Sequence, residues 1–314
     1  MAPLIAPWAQ AWLPAFILAA GLTMGAMAAL AVGHLLGEAW LEPLRPPLAV
    51  MARGAPILLL LALPLLLAAP ALYPWAAAPV AGWYDPGLLM LRGLAVLLLW
   101  IALGRMVAHR RLRGRMAGGA LLLLVLTGAV FMQDWALSRD TDGAGSLQGL
   151  TLVVQQAGAA MALATLLAAR GGTVGEEART GLERALLSFA MATLWLRFVQ
   201  YIVVYAADLP PEAAWYLRRS QGIWGWLEGG VGLPALLAAI GLALVPQWRR
   251  WRFAAVSLLL LVQYVVHVSW VVRPDKAPAA APTSLLAEFV VPVVVVLALA
   301  AAWLPLWREA GSRS

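Results

Sequence analysis

Arg197, Gln200, Tyr201, Tyr205 and Asp208 concentrate in one short stretch the chemistry that most of this chain lacks. Residues 197, 201, 205 and 208 recur at i, i+4, i+8 and i+11, the spacing of one helix face, with Gln200 beside them. The run around them is apolar. This face therefore predicts a polar stripe from the middle of a membrane to its outer surface. A charge at the bilayer centre costs about 2.5–3.5 kcal/mol on insertion scales, so Arg197 is expected to face the bundle interior, a partner or water. Asp134 and Glu228 are the candidate counter-charges, and Gln263 and His267, at i and i+4 on another helix, the candidate acceptors. Three roles suit such a stripe. It conducts protons, or it holds a quinone headgroup, whose carbonyls need donors such as Tyr, Gln, His and Arg. The third is a polar network that only locks helices together. Asp134 either ends a proton path or pairs with Arg139. His34, with Glu38 four residues on, either guards proton access at the inner end of the first span or sits solvated at the interface.

Past Pro210-Pro211 the character changes. Asp208 and Glu212 alternate in sign with Arg218 and Arg219, and Trp215, Tyr216 and Trp224 suit the headgroup level. This predicts a surface-lying turn on the outer face, either a docking surface for an extrinsic partner or a lid over an opening between helices.

The elements that must position these groups are membrane helices. The chain of 314 residues is 63% hydrophobic and 12% charged, with mean hydropathy +0.84, and its apolar residues come in long runs. Nine spans are expected, at 12–36, 48–73, 87–108, 116–137, 147–169, 183–207, 224–245, 253–272 and 286–307, in one all-α bundle forming a single polytopic membrane domain. Gly21 and Gly25 form a small-xxx-small pair suited to close helix packing, and Pro56, Pro64 and Pro70 predict a kinked second span. Adjacent Gln155 and Gln156 are expected to hydrogen-bond across helices. No cleavable signal peptide is expected, because no positive segment precedes the first apolar run.

Of the 22 Lys and Arg residues, 15 fall in the odd-numbered connections and the C-terminal tail. That bias predicts the N-terminus outside and the C-terminus in the cytoplasm. The net charge of +7 reflects this topology, and no nucleic-acid partner is expected. Without cysteine there is no disulfide or thiolate-held cluster in this chain, and three His leave little for haem. No P-loop, zinc or dinucleotide motif is present.

The order of several short pieces carries a resemblance. Gln200-Tyr201, Asp208-Leu209-Pro210-Pro211-Glu212, Trp215-Tyr216, Arg219 and Trp224 look like the S-Q-x-L-I-x-W-x-x-N-L-P-E-E-x-x-W-Y segment, with its later R and W, of the F subunit of alternative complex III. That subunit is among the NrfD-like membrane proteins, similar to the polysulfide reductase C subunit. His34-Leu35-Leu36-Gly37 with Trp40 and Arg45, Leu72-Tyr73-Pro74-Trp75, Asp134-Trp135 with Leu137-Ser138, and Trp270 to Pro274 agree in order, over roughly residues 20–275. Asp208, Pro211, Val199 and Glu38 depart from the pattern, and Arg197 is an added charge. The resemblance implies an NrfD-like bundle in the bacterial inner membrane. It would be a subunit of a quinol:cytochrome c (electron acceptor) oxidoreductase with no redox centre of its own, serving as scaffold with a proton path or quinone contact. Its implied partners are a C-like NrfD homologue, lipid, and extrinsic iron–sulfur and cytochrome c subunits that carry the clusters and haem c. A stand-alone NrfD-like protein or transporter, and a purely structural scaffold subunit, are the alternatives.

Overall fold

The computed structural model describes residues 2–37, 39–77, 82–109, 111–112, 114–140, 147–170, 176–245, 249–274 and 285–311. All regular structure among them is helical: α1 (Ala2–Leu36), a 3-10 turn (Ala39–Leu44), α2 (Arg45–Arg53), α3 (Ile57–Leu67), α4 (Ala69–Leu72), α5 (Pro74–Ala77), α6 (Pro86–Ala108), α7 (Arg115–Met132), α8 (Gln148–Arg170), α9 (Glu176–Ala206), α10 (Pro210–Arg219), α11 (Gly222–Leu227), α12 (Leu233–Leu244), α13 (Arg249–Val272) and α14 (Leu285–Gly311). Two π turns interrupt this series, Gln133–Leu137 after α7 and Glu228–Gly232 between α11 and α12. Among the described residues eight helices are long and apolar enough to cross a membrane, and a ninth span results if one bent pair counts as one. The 23 residues of α6, at about 1.5 Å each, reach roughly 35 Å, enough for a hydrocarbon core of about 30 Å. The chain is a multi-pass helical membrane protein.

The bent pair is the second expected span. It breaks at Gly54, Ala55 and Pro56 with a 44° bend between Leu41–Arg53 and Ile57–Leu67. A Cβ on Gly54 would stand 2.4 Å from Nε1 of Trp303, so α14 seats an indole in the bend. Pro64 stays inside α3.

The centre of the bundle is α1. In its most apolar stretch 83% of residues are buried, against 17% in α14 at the periphery. Small residues make this possible. A Cβ on Gly25 would come within 2.2 Å of the Gln156 carbonyl oxygen, and one on Gly21 within 2.0 Å of the Tyr264 hydroxyl. The backbones of α1 and α8 therefore approach as only glycine allows, and Ala26, Ala29, Ala31, Ala159, Ala160 and Ala162 are buried on the same helices.

Tyr73 and Trp75, which look in sequence like an interface belt, are buried. The cause is the π turn at Gln133–Leu137, where widening shifts carbonyl partners. The Tyr73 hydroxyl donates to the Trp135 carbonyl at 2.9 Å, and Trp75 Nε1 donates to Ser138 Oγ at 3.0 Å. The Ser138 hydroxyl in turn donates to the Asp134 carbonyl. The chain entering α6 pins the turn leaving α7.

Candidate functional site

Where α8, α9 and α13 meet the π turn at Glu228–Gly232, five polar side chains converge. Arg197 Nη1 donates to Glu228 Oε1 at 2.9 Å, and its Nη2 to Gln263 Oε1 at 3.1 Å. Gln155 Nε2 donates to the same Gln263 oxygen at 2.7 Å. His267 Nδ1 lies 3.0 Å from Glu228 Oε1 and, facing a carboxylate, carries the proton there. Gln263 and His267 share a face of α13 one turn apart, which is why both reach α9. Glu228 opens its π turn, a local widening that often occurs at functional sites.

The cluster is buried but not saturated. Glu228 Oε2, His267 Nε2, Arg197 Nε and Gln155 Oε1 have no hydrogen-bond partner among the described residues. Beside them lies a cavity of about 160 Å³ lined by Gln148, Arg197, Tyr216, Glu228, His267 and Trp270, with Gly229 and Leu233 at an exposed rim. His267 stacks on Trp270 with centroids 5.4 Å apart. Burial pushes the Tyr216 phenol up to about 12, against the opposing pull of Arg197 and then Arg219. Tyr216 is thus a neutral donor on the cavity wall. The arrangement suits proton exchange, since a carboxylate, an imidazole and a phenol share one polar space held by a fixed guanidinium.

The expected single stripe on α9 divides in two. Arg197 and Gln200 turn inward, and the Gln200 side-chain oxygen accepts from the Leu147 N–H at 2.7 Å. Tyr201 and Tyr205 are exposed, stacked on each other at 6.3 Å, and Asp208 is exposed beyond the helix end with φ 45°. The buried line on α9 runs through Ala190, Thr193, Gln200 and Val204 instead. Of the two candidate counter-charges for Arg197, Glu228 is the partner. Asp134 is held by Arg92, not by Arg139: Arg92 Nε reaches Oδ2 at 2.6 Å and Nη2 reaches Oδ1 at 2.7 Å. Arg139 Nη1 donates to the Val272 carbonyl at 3.2 Å. At the opposite end of the bundle His34 Nε2 faces Arg45 Nη1 at 3.0 Å, and Arg252 pairs with Glu183. Glu38 lies outside the described residues.

The expected docking turn is the helix α10 with the start of α11, and two of its six proposed docking groups, Trp215 and Arg219, are buried. Asp140, also buried, accepts from Arg218 Nη2 at 2.7 Å and Arg219 Nη1 at 3.0 Å. Arg219 also donates to the carbonyls of Val271 (3.0 Å) and Pro274 (2.9 Å) and lies 3.8 Å over the Trp215 ring. Glu212 is partly exposed, Trp224 is half-buried with the Arg273 guanidinium 5.7 Å over its ring, and Leu217 is exposed. Burial, and secondarily Arg139, lower the Arg273 guanidinium to about 10.

Sequence reasoning missed Arg92 and Asp140. Arg92 lies inside the expected span 87–108, and an intramembrane arginine is itself a signal. Asp140 follows Arg139 directly, and nothing in its sequence surroundings marks it. Among the described residues no three His, Asp or Glu side chains are placed to share a metal ion. No protein-family model matches the chain, and no curated protein matches it.

Proposed function

We propose that this chain is a membrane subunit of an alternative-complex-III-like quinol:electron acceptor oxidoreductase, and that its Arg197–Glu228–His267 cluster exchanges protons with the adjoining cavity. The family part rests on the ordered sequence pieces that end at Trp270–Pro274. The chemical part rests on one observation: a charge-compensated Glu–His pair keeps an unpartnered oxygen and an unpartnered ring nitrogen beside a cavity. In this reading redox centres belong to partner subunits. Glu228 and His267 pass a proton between them, Arg197 holds the carboxylate in place, and Gln263 with Gln155 fixes Arg197.

A second reading, contact with a quinone headgroup, is favoured by the exposed rim at Gly229 and Leu233. A cavity near 160 Å³ accepts a single six-membered ring, since an engineered cavity of about 150 Å³ holds benzene. The same volume holds about five waters, at roughly 30 Å³ each. Glu228 and His267 on its wall, each with an unpartnered atom, favour the proton reading.

The test is a gentle-detergent pull-down of the chain from native membranes, with mass spectrometry and a visible spectrum of the eluate. Co-elution of a haem c protein and an iron–sulfur protein is expected. A colourless chain without redox partners would overturn the oxidoreductase assignment. In the recovered complex, Glu228→Gln is expected to lower proton-coupled turnover while leaving subunit stoichiometry unchanged.

A further inference from the structure

We infer that α10 is a latched strap that separates the Glu228–His267 cavity from the aqueous phase at its end of the bundle, and that Asp140 is the latch. The inference concerns access to the cavity and stands whichever reaction the cavity serves. Tyr216 of α10 forms part of the cavity wall. The helix is ten residues long and has no side-chain N-cap hydrogen bond. It is joined to its neighbours at two points of positive φ, Asp208 at 45° and Gly222 at 60°. Asp208 is the one non-glycine residue with such a backbone among the described residues, and a residue of this kind persists only when its surroundings hold it.

What holds the strap is its C-terminal end. Arg218 and Arg219 both bind Asp140, a residue that follows the π turn of Gln133–Leu137 and belongs to neither flanking helix. The Arg219–Asp140 pair is almost wholly buried, with side chains 2% and 1% exposed. Loss of one member of such a pair strands the other without compensation and strongly favours a rearranged state. The fastening also reaches the cavity. Trp270 Nε1 donates to the Arg219 carbonyl at 2.9 Å, and the same indole carries the His267 ring. A strap that swings away on its two hinges would therefore uncover the cavity and release the stack on His267 together.

The chain contains no cysteine, so one introduced thiol is an unambiguous reporter. Gly229 lines the cavity, and a Cβ there meets no atom within 4 Å. The experiment places Gly229→Cys in the full chain in lipid nanodiscs, where lipid covers the membrane-facing rim. Labelling by a charged, membrane-impermeant thiol reagent is then followed in time. Labelling is expected to be slow with Asp140 present. It should accelerate about tenfold or more with Asp140→Asn, because labelling follows the population of the open state. Arg218→Gln removes one arm and leaves the buried Arg219 pair, so it should give a smaller acceleration. If Asp140→Asn does not fold, Arg218→Gln decides alone. Equal labelling rates with and without the intact latch, whether fast or slow, overturn the proposal.

Discussion

Among the described residues two arginine–carboxylate pairs have their carboxylate on a π turn, Asp134 facing Arg92 and Glu228 facing Arg197. The first pair is closed. Arg92 takes both oxygens of Asp134, the Trp83 ring covers the guanidinium at 4.1 Å, and the Asp134 side chain is 2% exposed. The adjoining cavity is only about 20 Å³. The second pair is open. Arg197 and His267 both address one oxygen of Glu228, the other oxygen is unpartnered, and the cavity beside it is about eight times larger, at about 160 Å³. The same two residue types on the same kind of turn thus serve different ends. A carboxylate whose lone pairs are all used is a fastener, and one with capacity left over, beside a histidine and a cavity, is chemistry held ready.

The largest effect should come from breaking the fastener. Asp134→Ala strands a partly buried Arg92 and is expected to cost about 3 kcal/mol, the lower end for breaking a buried pair. It should appear as a lost or strongly lowered melting transition of the purified chain. Glu228→Gln tests the other pair. It should lower melting less than Asp134→Ala, because the amide keeps a hydrogen bond to Arg197, while proton-coupled turnover of the assembled complex falls about 100-fold, within the range of a positioned acid–base group. If both substitutions act on stability alone, the contrast between the pairs fails. Gly232→Ala should make the open site resemble the closed one, since its Cβ would stand 2.6 Å from Glu228 Oε2 and 2.9 Å from Val266 Cγ1. A cost of about 1–3 kcal/mol from overpacking, with turnover reduced, is expected. The matching change at the closed site, Gly93→Ala, meets only Trp135 ring atoms at 3.2 Å and should cost less in the same melting assay. The smallest effect is expected from Tyr205→Phe on the exposed face of α9, within about 0.5 kcal/mol and without change in turnover.

Much of this could be read before any coordinates. Membrane class and span positions followed from long apolar runs, because backbone groups in lipid force those runs into helices. Arg197 had to find a carboxylate, and Glu228 was one of two candidates. Gln155 and Gln156 were expected to bond across helices, and Gln155 donates to Gln263 and Gln156 to the Met132 sulfur; Gln263, a candidate acceptor for Arg197, accepts from it. The facing of Tyr201 and Tyr205 was misread for a geometric reason. Each four-residue step on an α-helix overshoots a full turn by about 40°, so a chain of such steps walks off the buried face within two turns. Side-chain type gave no warning, since tyrosine is at home both in a core and at a membrane interface. The π turns were hidden as well. Only Gly229-Gly230 hints at one of them, and nothing in Gln133–Leu137 does. Without that turn the burial of Tyr73 and Trp75 could not be anticipated.

The depth at which α1 is buried has a consequence for biogenesis. The helix ends at Leu36, but Gly21 and Gly25 meet Gln156 on α8 and Tyr264 on α13. At about 5–20 residues per second, α8 follows α1 out of the ribosome by roughly 10 s, and α13 later still. Throughout that interval the small-residue face of α1 has only lipid or the insertion machinery for company. Nascent chains halted before α13 should therefore be held by membrane chaperones or cleared by proteases, and the bundle closes only as its later helices arrive.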